Sequence, residues 1–265
     1  MSTIIKSTEF KPEMITYSEP KQLNGGRGKT VYISYGEYGH YSLQTPVMKL
    51  PFGLSIDDRQ EVPKYALDLS FRGIETDPKL EKFYNSLDKM DNKLVDDAVK
   101  HSMEWFKKKK SSKEVMSNLY NPIIRLSKDK ETGEPDGKYP ATFKVKIPTY
   151  DNKFGCDIFD DKKQQLKLSS EELKDYLSKG SKIQALIKCT GVYFAAGKFG
   201  VSWRASQLKV FRNNIMKGYA FLDDSDDEDI EEVDETTKHT KKNVEKELDN
   251  QIDDSEDENS DDDTI

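Results

Sequence analysis

The sequence predicts a mainly β fold: a closed or nearly closed antiparallel barrel with inserted helices, followed by a long acidic tail. Three observations carry the expectation. Apolar and polar side chains alternate with a period of two in short runs spread over residues 31–211, the pattern of half-buried strands. Helical patterns form blocks between those runs instead of following each strand, which argues against a parallel βαβ sheet. Charge is divided along the chain: residues 223–265 hold 21 acidic residues against 4 lysines, a net -17, while residues 1–222 hold 38 basic and 28 acidic side chains, a net +10. A segment so charged and so poor in apolar residues cannot offset the entropy of ordering, and disorder is expected for it.

Taken in order, residues 1–28 are polar, end in glycines and read as an arm. The run V-Y-I-S-Y at 31–35 opens the strands. Tyr65, Leu67, Leu69 and Phe71 alternate with Ala66, Asp68, Ser70 and Arg72, so one face is buried. Asp77-Pro78 then supplies an N-cap followed by proline at the first helical position. Leu80, Phe83, Tyr84, Leu87, Leu94, Val95, Ala98 and Phe106 recur at three- and four-residue steps, which predicts one or two amphipathic helices. A shorter helix follows Ser111, whose Glu114 fits a capping box, so the helical insertion spans about 77–119. Within it, K-K-K-K at 107–110 stands where cations suit a helix C-terminus.

Residues 122–127 and 141–147 flank the turn-rich E-T-G-E-P-D-G-K and predict a long-looped hairpin. Phe143, Val145 and Ile147 share its inner face and leave Lys144 and Lys146 outside. Residues 154–159 are a further strand. Ser169 and Glu172 form a second capping box ahead of Leu173, Tyr176 and Leu177, with Gly180 in the C-terminal position. Two long strands, joined at Ala196-Gly197-Lys198, complete the set. Seven or eight short strands with inserted helices, within residues 29–222, predict a small Greek-key barrel of the OB type. A β-sandwich is the alternative.

The same sequence narrows the chemistry. The N-terminus lacks the apolar stretch of a signal peptide and no window approaches 18 apolar residues, so an intracellular protein is expected, neither secreted nor membrane-spanning. Cys156 and Cys189 have no C-x-x-C partner and are expected as buried thiols in place of a disulfide. His40, His101 and His239 are scattered, with no cysteine at ligand spacing, and no metal or other cofactor is expected. G-R-G-K-T at 26–30 imitates a phosphate loop, but that pattern needs glycine where Leu23 stands, and a strand follows instead of a helix. No Ser, Cys or His constellation points to a nucleophile, so an enzyme is not expected.

Aromatic and basic residues are more telling. V-Y-I-S-Y-G-E-Y-G-H-Y places Tyr32, Tyr35, Tyr38 and Tyr41 within ten residues, beside Arg27 and Lys29. Tyrosine at a strand or loop edge stacks on any base, because every base offers a π-face; it is also an ordinary strand former. In K-F-G-V-S-W-R, alternation groups Phe199, Val201 and Trp203 on one face, so Trp203 reads as core first and base platform second. Lys198 and Arg204 take the other face, as Lys144 and Lys146 do on their strand. Two basic outer faces make a positive groove for a sugar-phosphate backbone.

A basic, aromatic-studded barrel followed by an acidic tail resembles the single-stranded DNA-binding proteins of the T7-like phage type and their relatives in nucleo-cytoplasmic large DNA viruses. The segments that carry the resemblance are G-V-Y-F-A-A-G-K-F-G-V-S-W-R-A-S-Q and the terminal D-D-D-T-I. It implies an OB fold and sequence-independent binding of single-stranded DNA in replication, recombination or repair. It also implies contacts with replication proteins (polymerase, helicase or primase) through Asp261, Asp262, Asp263 and Ile265, although the phage family ends in an aromatic residue. A tethered polyanion competes with DNA for the groove, because tethering gives effective concentrations of about millimolar. A homodimer, a viral replication compartment in the host cell and packaging in the virion belong to the same expectation. Ser225, Ser255 and Ser260 precede acids at the third position and resemble acidophilic-kinase sites, where each phosphate adds about -1.5 to -2 charge. The competing expectation is an acidic interaction protein, such as a histone-binding chaperone or virion component, which needs no groove.

Overall fold

Six strands make the barrel: β1 (Tyr41–Gln44), β2 (Met48–Lys49), β3 (Lys64–Ser70), β4 (Thr142–Ile147), β5 (Lys182–Ala195) and β6 (Lys198–Phe211). The computed structural model describes residues 3–23, 28–59, 62–150 and 153–211, so the acidic tail lies outside the described residues. β1 and β2 are two halves of one path, interrupted at Thr45-Pro46, where proline cannot donate to a ladder. Both halves pair antiparallel with β5, through Leu43↔Ile187 and Met48↔Ile183. β2 meets β3 at Lys49↔Ser70, and β3 pairs with β4 over six residues. β4 runs parallel to β6 at Lys146↔Arg204, and β6 returns antiparallel along β5. That circuit closes the sheet on itself. A sandwich would leave two open sheets, so the closed circuit, with its single parallel step, gives the Greek-key barrel of the OB type.

Alternation fills the interior. Leu67, Leu69, Phe143, Val145, Ile147, Ile183, Ile187, Trp203 and Leu208 are buried, and their strand neighbours face outward. β5 and β6 join at Ala196 and Gly197, both at positive φ as a two-residue hairpin turn demands. The β5 ladder breaks register between Cys189 and Val192. Gly191 sits in that break at φ 113, and a Cβ there would stand 2.4 Å from the Val31 carbonyl oxygen. This close approach lets Lys29–Val31 pair with Val192, Tyr193 and Phe194. Thr3–Lys6 adds to the β1 edge in parallel, and Leu54–Asp57 pairs with β3. Ile5, Phe10 and Ile15, from the polar N-terminal stretch, are buried.

The insertion between β3 and β4 holds α1 (Pro78–Lys100), α2 (Ser102–Phe106) and α3 (Lys113–Leu119). Asp77 caps α1, its Oδ1 accepting from the backbone of Lys79 and Leu80 at 2.9 and 3.3 Å. The cap of α3 is Ser112, accepting from Val115, one residue beyond the Ser111 expected from the sequence. α1 buries Leu80, Phe83, Leu87, Met90 and Leu94; the Phe83 ring lies 5.8 Å from Phe143, which in turn meets Trp203 edge-on at 5.8 Å. Aromatic contact thus fixes the insertion to the barrel. A second tie is the Asp91 carboxylate, which accepts from the Tyr120 hydroxyl and from the backbone of Ile123 and Ile124. Burial pushes that carboxyl up to about 6, against the pull of these bonds. It holds Ile124–Arg125 against β4 and Tyr120–Asn121 against β6. α4 (Ser170–Tyr176) carries the Ser169–Glu172 capping box complete, with bonds of 2.8 and 3.3 Å. Among the described residues no helix is long and apolar enough to cross a membrane.

Candidate nucleic-acid interface

The outer face of β3, β4, β6 and β5 gathers cations in register. Lys146 is paired with Arg204, and Arg204 with Lys188, so three positive side chains stand in one row across the ladder. Lys144 lies two residues along β4, Lys64 on the same face of β3, and Arg125 beside Thr142 at the start of β4. Like charges directly opposite one another in a sheet are destabilising. The Lys146 ammonium registers that crowding: partial burial lowers its pKa first, then the charges of Arg204, Lys64, Lys144 and Arg125 lower it further. One acid shares the face, Asp68, opposite Lys144 in register; among the described residues its Oδ1 is buried without a hydrogen-bond partner.

The structure brings Lys144, Lys146 and Arg204 together as the alternation predicts. Lys198 stays exposed but stands at the hairpin tip, six residues from Arg204 along β6, a distance of about 20 Å at normal strand rise. Two of the expected base platforms are not on the surface, and Trp203 is in the core, the first of its two readings. Tyr35 and Tyr41 are each 3% exposed and stack with Phe10 at 5.5 and 5.9 Å, and Trp203 is 2% exposed. Their strands turn these rings inward, where aromatic area is worth more than at a wet edge. Tyr32 and Tyr38 remain exposed, Tyr38 at 59%. Tyr32 follows Lys29–Val31, which pairs with the distal half of β5 beyond Lys188, and Tyr38 follows the strand Ile33–Tyr35. Asp261, Asp262, Asp263, Ile265, Ser225, Ser255 and Ser260 lie outside the described residues.

Two residues missed from the sequence complete the face. Lys188 was legible, since it alternates with the buried Ile187. Tyr193 was not, because the register break behind it changes which side chains face outward. It pairs with Gly200, and its ring lies across that glycine: a Cβ at Gly200 would stand 2.7 Å from the tyrosine oxygen and 3.0 Å from Cζ. Asn121 Nδ2 donates to the same oxygen at 3.2 Å. A half-buried ring is thereby held on β5, opposite the β6 stretch between Arg204 and the hairpin tip.

Other chemistries find little here. Cys156 and Cys189 are free, and burial pushes both thiols up to about 12, so neither is a ready nucleophile at neutral pH. Among the described residues no three His, Cys, Asp or Glu side chains are grouped to hold a metal ion. Lys29 and Thr30 of the G-R-G-K-T run lie in a strand, as expected, and not at the start of a helix.

The profile of DUF5871, a family of unknown function, matches residues 75–223, more than half of the chain. The chain belongs to this family. In the DUF5871 chain the match begins just before α1 and runs past β6, taking in Lys144, Lys146, Lys188, Tyr193 and Arg204 while leaving out β1, β2 and β3. Uncharacterized protein L291 of Acanthamoeba polyphaga mimivirus is 25% identical over 175 residues, which is 64% of this chain and 26% of that protein. The chain therefore spans about a quarter of the length of this curated relative. Among solved structures, the single-stranded DNA-binding protein from bacteriophage Enc34 in complex with ssDNA is similar, with a TM-score of 0.43 and 12% identity over 77% of this chain and 99% of that one. The single-stranded DNA-binding protein gp2.5 of bacteriophage T7 has a TM-score of 0.41 and 13% identity, covering 68% of this chain and 91% of that one. Likenesses this remote do not by themselves say what the DUF5871 chain binds.

Proposed function

We propose that this DUF5871 chain binds single-stranded DNA without sequence preference, as a T7-like phage-type protein of replication, recombination or repair. The row Lys146, Arg204 and Lys188 carries the reading. A fold that sets like charges opposite one another, with Lys64, Lys144 and Arg125 around them, is relieved when a phosphate backbone lies along the row. The strands concerned include the second and third paths of the barrel, the face on which OB folds take oligonucleotides. Tyr193 favours an unpaired strand, because a base must be unstacked before it can meet an aromatic ring. An acidic interaction protein has no need of such a face.

In this reading residues 223–265, with their net -17, compete with DNA for the row and reach replication partners through Asp261, Asp262, Asp263 and Ile265. Phosphate on Ser225, Ser255 or Ser260 strengthens the competitor. Removing residues 223–265 should raise affinity for oligothymidylate at low salt, and the gain should shrink as salt screens both polyanions. Unchanged affinity at low salt would refute the competition.

Tyr193 gives the second test. Tyr193→Leu should weaken binding of a base-bearing strand about fivefold to 100-fold, the range for one stacked base. An abasic strand of equal length should bind as it does to the parent, and Tyr193→Phe should retain most of the affinity. Equal losses on both strands would remove Tyr193 from the role of base platform.

A further inference from the structure

The K-K-K-K run at 107–110 plays no part in the face described above, and the structure gives it a particular setting. Lys107 ends α2 at φ 58, and Lys108, Lys109 and Lys110 beyond it are exposed. Lys29 Nζ donates to the Trp105 carbonyl at that helix end and lies 4.9 Å over the Phe194 ring. Burial lowers the Lys29 pKa, and the charge of Lys107 lowers it further. The Phe106 ring touches Phe194 and Phe199, at 5.4 and 5.2 Å. Lys107 follows Phe106, on the Phe194 and Phe199 face of the β5–β6 hairpin, and Lys198 stands on the opposite face, so the cations flank the hairpin tip from two sides.

These cations are also uncompensated. Lys93 and Lys100 pair with Asp97 at 2.6 and 3.0 Å, Lys113 pairs with Asp96 at 2.8 Å, and Glu104 is engaged by His101. Among the described residues no carboxylate lies within 4 Å of the amino groups of Lys29, Lys198 or residues 107–110. Macrodipole complementarity accounts for one or two cations at a helix end, not for a run of four that continues beyond it.

We propose that residues 107–110, with Lys29 and Lys198, are a second phosphate seat, which holds the same DNA strand after it leaves the Lys146–Arg204 row along the hairpin. The proposal rests on the single-strand reading above. The two basic regions are joined by β6 itself, over about 20 Å, with the Tyr193 ring opposite the stretch between them. A stacked strand rises about 3.4 Å per nucleotide, and an extended single strand reaches farther, so at most about six nucleotides cross that gap. The seat lies at the opposite end of β6 from Phe211, where the chain departs toward its acidic segment. A strand already lying on the row therefore reaches it by continuing along the hairpin to Lys198 and passing round the tip.

The test compares the full chain with Lys108→Glu/Lys109→Glu/Lys110→Glu on oligothymidylates of roughly 3 nucleotides, too short to span the gap, and roughly 16, across a salt titration. All three side chains are exposed, and circular dichroism is to check that the variant folds. Both proteins should bind the short strand alike. On the long strand the variant should bind at least about tenfold more weakly, with a log–log salt slope shallower by about 2, from three contacts at about 0.7 each. Equal behaviour on the long strand overturns the seat, and so does an equal loss on both lengths, which marks a long-range field. Tighter binding of the short strand by the variant also overturns it, since the run would then be seating the chain's own acidic segment. If the parent binds neither strand, the reading beneath the proposal falls with it.

Discussion

Lys146→Glu/Arg204→Glu should lower affinity for single-stranded DNA about 100-fold or more and leave the barrel folded. Each side chain is expected to make a charge-assisted contact worth about 1.5 to 3 kcal/mol, and two such contacts multiply. The log–log salt slope should flatten by at least about 1.4, because two fewer counterions are released per strand bound. Stability should change little. The reversed pair stays like-charged across the ladder, while each glutamate gains attraction from the remaining cations Lys64, Lys144, Arg125 and Lys188. A variant that melts near the parent temperature and no longer binds DNA is the expected outcome. A folded variant with parent affinity would show that the row does not carry the strand.

Gly191→Ala should have the largest effect on stability. The residue needs φ 113, a conformation that strains any side chain, and the new Cβ would stand 2.4 Å from the Val31 carbonyl oxygen. Backbone strain and forced separation together should cost about 3 kcal/mol or more. For a folded body of this size that lowers the melting temperature by about 10 °C. Trp105 and Trp203 are both buried, so their fluorescence follows the unfolding directly. The loss should appear as detachment of Lys29–Val31 from β5, with earlier amide exchange in both segments. Parent stability in Gly191→Ala would mean that β5 repositions freely around the register break.

Much of the barrel was legible because period-two alternation and burial agree. Phe143, Val145 and Ile147 fall inside and Lys144 and Lys146 outside, and the helix caps at Asp77 and Ser169 stand where their side chains predict. The first barrel path escaped notice. Y-S-L-Q-T-P-V-M-K is split by proline, and its buried face includes Tyr41 and Ser42, so no clean alternation marks it. Tyr35 and Tyr41 were misplaced for a related reason: a tyrosine in a strand looks the same in sequence whether its ring turns to Phe10 or to solvent. The row of cations was half visible. Alternation puts Lys146 and Arg204 outside their own strands, but the parallel step that sets them opposite each other, and the antiparallel one that adds Lys188, arise only on barrel closure. Tyr193 depended on a register break that no local pattern announces.

Single-strand binding is tested most directly by equilibrium binding of the full chain to a single-stranded oligonucleotide and to the duplex of the same sequence, titrated with salt. Tighter binding of the single strand at every salt concentration is expected, with affinity falling linearly in log salt as several phosphate contacts release their counterions. Equal affinity for duplex and single strand throughout, or binding of neither at low salt, would contradict it.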